Sequence, residues 1–337
     1  MLITKPLSSV LLVGLIMSGA GLSGDAVALA SQGGDEVYDR ASVDADPVDE
    51  GEEEEQAPPT EPYFGQDRTT GKFIPTRVDD TSRQLVVLLH GYGQSILEIV
   101  GQVPLLQAAF ENGWILLVPS GLEDSRSLPY WNATPTCCDR NRRGNDDVAY
   151  LRSVIRRHLE RYQIKRDRVT VVGLSNGAFM AYQLACHASD LVGTIVAISG
   201  VERIDPADCN PRRPVNVYHI HGRFDRAVFF GGGLIGIASE VFAPFPSAPE
   251  TVRRWAVRNS CPTTDATAIP VPRGQAGLWA NCSDGTVVQF RWLPDPHAVR
   301  ITDELLASIV DFIRTRDRSP PSIRKRPSTL PIGVAVP

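Results

Sequence analysis

Residues 169–185 constrain the chain more than any other stretch. Val169-Thr-Val-Val-Gly-Leu-Ser-Asn-Gly-Ala-Phe-Met-Ala-Tyr-Gln-Leu-Ala opens as a β-branched run, the pattern of a strand buried on both faces. It turns at Gly173-Leu174-Ser175-Asn176-Gly177 and continues as an apolar segment with no helix breaker. A serine on a sharp strand-to-helix turn is held outside the end of its strand, where a base can reach its hydroxyl. A side chain two residues before or after that serine would collide with the turn or with the neighbouring strand, so both positions call for glycine. The same turn aims the backbone N–H of Asn176 at the oxygen of a carbonyl under attack. The pattern predicts Ser175 as a nucleophile.

A serine nucleophile needs a base, and the base needs a carboxylate to orient it. Pro214 to His221 reads as a late strand and runs into Gly222-Arg-Phe-Asp225. A carboxylate just past such a strand can accept the Nδ1 hydrogen of an imidazole, which makes Asp225 the candidate acid. The last apolar strand ends in Val287-Val-Gln-Phe-Arg-Trp292, and the final helix is expected over Thr302 to Arg314. His297 lies in the loop between them and is the candidate general base. Asp295 is two residues away in a proline-flanked turn and is poorly placed to orient it. His219 and His221 belong in the core or behind the site. The strand that ends at Leu89 runs into His90-Gly91-Tyr92-Gly93. Its turn predicts a second oxyanion donor, the N–H of Tyr92, with Gly91 as the alternative and His90 as a turn histidine.

Between these landmarks the periodicity predicts a helix over 96–111, a buried strand from Trp114 to Pro119 and an irregular stretch over 120–145. Long ordered loops in small domains are commonly functional. Trp131 and Asn132 either line an acyl or aromatic pocket or belong to a loop packed down by its cysteines. Asp146 is expected as the N-cap of a helix carrying Val148, Leu151, Val154, Ile155 and Leu159, with Asp147 as a first-turn acid. Phe229 to Pro249 reads as an apolar rim over the site, and Glu250 to Asn259 as a helix.

The chain has 337 residues and a formal charge of −5. Residues 1–30 carry Lys5, a short apolar run and Ala28-Leu29-Ala30, the pattern of a secretory signal. Residues 31–62 are dense in acids, Glu52 to Glu55 among them, against Arg40 alone, and read as a disordered linker. The acidity therefore sits in the linker, and the remainder carries a net positive charge. Residues 63–316 are left as one catalytic domain, and the proline-rich, basic stretch 317–337 as a disordered tail. Nothing in the charge pattern favours a nucleic acid, no membrane span is expected once the signal is removed, and the oligomeric state stays open. Six cysteines behind a signal imply disulfides in an oxidising compartment, extracellular or periplasmic. Cys261 and Cys282 flank one hairpin-like segment and form the first expected pair. Cys137 and Cys138, being adjacent, are expected to reach Cys186 or Cys209 rather than each other. No spacing suits a metal, and no cofactor is expected.

Several motifs recur in order: Leu89-His-Gly-Tyr-Gly, Trp131-Asn-Ala with Cys137-Cys138, Asp146-Asp-Val-Ala-Tyr-Leu, the Ser175 turn, and His221-Gly-Arg-Phe-Asp-Arg-Ala-Val. Together they resemble the secreted polyhydroxybutyrate depolymerase-like and feruloyl or acetylxylan esterase-like branch of the α/β-hydrolases, over roughly residues 72–315. The resemblance implies an α/β fold, with a mostly parallel central sheet between helices and disulfide-stabilised loops. It maps Ser175, Asp225 and His297 onto that family's triad. With no added substrate-binding module, small or soluble esters are expected rather than a bulk polymer. A secreted serine peptidase on the same fold and a degenerate hydrolase kept for binding are the alternatives.

Overall fold

The computed structural model describes residues 68, 70–74, 84–135, 137–139, 143–237, 240–263 and 265–316, all within the unit spanning residues 41–337. The expected signal, linker and tail lie outside the described residues.

The strand-forming runs of the sequence meet in one sheet. Its strands are β1 (Thr70–Phe73), β2 (Leu85–Leu89), β3 (Ile115–Pro119), β4 (Val169–Leu174), β5 (Thr194–Ile198), β6 (Asn216–Gly222), β7 (Thr267–Ile269), β8 (Gln275–Trp279) and β9 (Val288–Leu293). Among the described residues these nine lie in the order β1-β3-β2-β4-β5-β6-β9-β8-β7. The six from β3 to β9 run parallel, while β1, β8 and β7 add antiparallel edges. Strands β2 to β5 are buried along their whole length, which is why Leu-Val-Val-Leu-Leu and Ile-Leu-Leu-Val carry no polar alternation.

Each face is covered by helices. One core layer takes Leu85, Val87 and Leu89 with side chains of α3 (Asp147–Tyr162), α4 (Asn176–His187) and α5 (Ala248–Arg258). The other takes Val86 and Leu88 with side chains of α1 (Ile96–Gln102), α2 (Leu105–Asn112) and α6 (Asp303–Thr315). The period-two alternation of β2 thus feeds both layers. The single helix expected over 96–111 is two, because Pro104 cannot donate the hydrogen bond that would carry α1 onward. The stretch 229–249, expected as an apolar rim, contains a two-stranded ladder, Gly233–Ile237 with Glu240–Phe245.

Asp146 caps α3 through the N–H of Ala149 at 2.8 Å, as its position predicts. Asp147 does more than favour the helix dipole. It is buried, pairs with Arg68 and accepts the backbone N–H of Asn132 at 2.6 Å, tying the 130s loop to α3.

The cysteine expectations are met in one case and overturned in another. Cys261 pairs with Cys282. Cys137 and Cys138 pair with each other, and Cys186 pairs with Cys209. The reason is positional: Cys186 sits in the last turn of α4 and meets Cys209 after β5, so neither is left for the 137–138 loop.

Candidate active site

The turn after β4 has the steric construction its sequence requires. A Cβ on Gly173 would sit 2.1 Å from the carbonyl oxygen of Gly177, and one on Gly177 would sit 2.3 Å from that of Leu89 on β2. Between them Ser175 adopts φ 53°, a left-handed backbone that L residues seldom take. Its N–H is held by the carbonyl of Ile198 at 2.8 Å, and its carbonyl receives Ala178 N–H at 2.8 Å, so the bend is anchored on both sides. Asn176 opens α4, where first-turn N–H groups lack helical partners and the helix dipole is positive.

His297 and Asp225 come to this bend from two other strand ends. His297 Nε2 lies 2.8 Å from Ser175 Oγ, and its Nδ1 lies 2.8 Å from Asp225 Oδ2. The Asp225 side chain is fully buried. Its Oδ1 accepts the N–H groups of Ala227 and Val228, both at 2.8 Å, and His221 Nε2 stands 3.4 Å from Oδ2. Burial pushes this carboxyl up, but the bonds from His221, His297 and Val228 outweigh it and hold Asp225 well below the ordinary carboxylate range. An ionised Asp225 facing Nδ1 leaves Nε2 to accept the hydrogen of Ser175.

The remaining expected residues fall in several places. Gly91, the alternative to Tyr92 as oxyanion donor, has its N–H on Gln94 Oε1 at 2.8 Å. His90 is a turn histidine: fully buried, it bonds its neighbour's carbonyl through Nδ1 and accepts Gly121 N–H on Nε2. Asp295 is occupied by Arg273 and takes no part in orienting His297. Trp131 is fully buried rather than a pocket wall. Its indole N–H donates to His90 O at 3.1 Å, because the Asn176 amide grips its backbone from both sides at 2.7 and 2.9 Å. Asn132 lines a polar cavity of about 430 Å³ with Asp146, Gln183, His187 and Arg203, whose lining includes none of Ser175, Asp225 and His297. Phe224 and Phe229, in the same segment as Asp225, are 65% and 43% exposed.

Two supports were not legible beforehand. Ser199, at the end of β5, donates its hydroxyl to the His297 carbonyl at 2.8 Å and has φ 55°. Gly222 lets the loop that carries His297 close on β6, since a Cβ there would lie 2.3 Å from the carbonyl oxygen of Pro296. A Ser-Gly pair after a buried strand and a glycine at a strand end are their only sequence signals, and both are common.

Residues 76–233 match a family model described as phospholipase/carboxylesterase. A curated relative from Nocardia uniformis subsp. tsuyamanensis, named "Putative esterase NocK", is 29% identical over 150 residues. That stretch is 44% of this chain and spans 42% of the relative's length. Among solved structures, an acetyl xylan esterase from Aspergillus awamori superposes with a TM-score of 0.51 at 14% identity, over 72% of this chain and 94% of that one. The architecture is the α/β-hydrolase fold, with three cysteine pairs fastening its loops.

Proposed function

We propose that this α/β-hydrolase is a secreted serine carboxylic-ester hydrolase, with Ser175 as nucleophile, His297 as general base and Asp225 as its orienting acid. One observation carries the reading: a single imidazole bridges a strained serine hydroxyl and a buried carboxylate at 2.8 Å on each side. His297 takes the Ser175 proton as Oγ attacks the ester carbonyl. It then returns that proton to the leaving alcohol, and water releases the acid from the acyl-enzyme. Asp225 stabilises the imidazolium formed on the way. The backbone N–H groups of Asn176 and Tyr92 hold the oxyanion, where one donor is typically worth ~10²–10³ in turnover. Asn176 is suited to this because its own side chain is clamped to Trp131. These steps draw on no metal or organic cofactor.

The match to a phospholipase/carboxylesterase family model favours esters as substrates. Small or soluble esters of the feruloyl, acetyl or hydroxybutyrate type are the proposed class, with exposed Phe224 and Phe229 as apolar contacts. The three cysteine pairs favour an oxidising compartment, in keeping with residues 1–30 as a signal, 31–62 as a tether, 63–316 as the catalytic domain and 317–337 as a tail. A fluorophosphonate probe is expected to label Ser175, and the chain to cleave nitrophenyl, acetyl, feruloyl or hydroxybutyrate esters ahead of peptides. Ser175→Ala is expected to lose labelling and to lower turnover ~10⁴-fold or more. Undiminished ester cleavage by that variant would end the proposal.

A further inference from the structure

Three buried groups behind Asp225 have no part in the mechanism so far. Tyr182 lies on α4, seven residues past Ser175, and His219 and His221 lie on one face of β6. All three are fully buried. Tyr182 Oη is 2.7 Å from His219 Nδ1, and His219 Nε2 is 3.1 Å from His221 Nδ1. His221 Nε2 in turn is 2.9 Å from the carbonyl oxygen of Val228 and 3.4 Å from Asp225 Oδ2. The two imidazoles lie edge to edge, 5.3 Å between ring centres and 11° between their planes, as an in-plane hydrogen bond requires.

The hydrogens in this row can be placed by elimination. His221 Nε2 faces two acceptors, a carbonyl and a carboxylate, so it must carry a hydrogen. Tyr182 buries a hydroxyl whose hydrogen needs an acceptor, and His219 Nδ1 is within reach, so that nitrogen presents its lone pair. A neutral His219 then carries its hydrogen on Nε2 and gives it to His221 Nδ1. Burial holds His219 well below its ordinary value, with His221 adding to the effect, which keeps one hydrogen on the ring. Every bond therefore points the same way, toward the carboxylate that receives His297. The reverse arrangement would turn a nitrogen lone pair against Val228 O and Asp225 Oδ2.

We propose that Tyr182, His219 and His221 are positioning residues: a one-way row of hydrogen bonds, its sense set from one end by the Tyr182 hydroxyl and from the other by the acceptors facing His221, that fixes Asp225 and tempers its pull on His297. This rests on the reading of Ser175, His297 and Asp225 as the reacting set. The other charged groups facing the row are Glu202 with Arg258, near Tyr182, and His297 itself beyond Asp225. Taking away the donor from His221 leaves more negative charge on Asp225 for His297 to feel. The imidazolium is then held more tightly, and activity requires a higher pH.

Tyr182→Phe tests this with a change of one oxygen. NMR of the histidine ring nitrogens in the full chain is expected to find hydrogens on Nε2 of both His219 and His221. In Tyr182→Phe the reversed tautomers should become populated. The acidic limb of kcat/KM for a nitrophenyl ester should move up by about 0.5–1 pH unit. His221→Gln, whose amide can still donate toward Asp225, is expected to keep the limb near its original position. His221→Leu should move it as Tyr182→Phe does. A hydrogen on His219 Nδ1 in the unaltered chain, or a Tyr182→Phe variant with tautomers and limb both unmoved, would overturn the inference. Absence of Ser175 labelling in the unaltered chain would instead defeat the esterase reading, and the tautomers would then decide the hydrogen-bond row by themselves.

Discussion

At the scale of single residues, the site depends on how closely backbones approach one another. Gly222 is the plainest case, because the chain that carries His297 passes where a Cβ would stand, 2.3 Å from Pro296 O and 2.5 Å from Asp295 O. Both contacts are to backbone, which cannot rotate away. Gly222→Ala is therefore expected to leave the sheet intact, since β6 keeps its pairing with β5 and β9, but to push His297 off Ser175. A displacement of about 1 Å can cost ~10²-fold. Steady-state kinetics should report a loss of that order in kcat/KM, with circular dichroism unchanged; unaltered kinetics would mean the loop has room to spare. The Ser175 bend could be read in advance because its constraint is local, two glycines and a serine within five residues. Trp131 could not. Whether that ring lines a pocket or fills the core is decided by the Asn176 amide, 45 residues away.

At the scale of elements, helix periodicity was legible and the attachments between elements were not. The α5 segment was expected from its sequence, but not what its arginines hold. Arg254 and Arg258 stand one turn apart and converge on Glu202, with Nη1–Oε1 at 3.2 Å and Nη1–Oε2 at 2.6 Å. The Glu202 side chain is 1% exposed and the two arginine side chains 16% and 14%. Glu202→Ala would strip Arg258 of its carboxylate and leave Arg254 with Glu250 alone, and is expected to destabilise by about 3 kcal/mol, the low end for breaking a buried pair. Urea unfolding would measure it, and Glu202→Gln, which keeps the acceptor oxygen, should lose less. The edge strand β1 and the Cys137–Cys138 pairing escaped sequence reading for a similar reason. An isolated four-residue strand is meaningful only once β3 offers an edge, and a cysteine's partner depends on which others are already taken.

For the molecule as a whole, the pattern of buried charge sets how it should respond to acid. Burial lowers the values of both His90 and His219 from the ordinary 6.5. Below that pH the unfolded chain binds protons that the folded chain refuses, so stability is whole above about 6.5 and falls as pH drops, by up to ~1.4 kcal/mol per histidine per unit. Asp225 and Glu250, the latter held at about 2 by Arg253 and, against some burial, by Arg254, act in the same direction lower down, because their contribution vanishes only as each is protonated. Burial raises Asp147 and Glu202 despite their arginines, so these two run the opposite way and soften the slope. Thermal unfolding should therefore show a Tm that is level near neutral pH and declines from about pH 6.5; a Tm level down to about pH 4.5 would contradict the neutral state of those histidines. The strand order has a consequence in time as well. The imidazole at 297 stands 122 positions after the hydroxyl it meets and 72 after the carboxylate. A chain synthesised or threaded from its amino end therefore carries the bend through those 122 positions with no imidazole of residue 297 beside it. On the proposed mechanism the hydroxyl stays dormant until β9 and the loop after it have arrived.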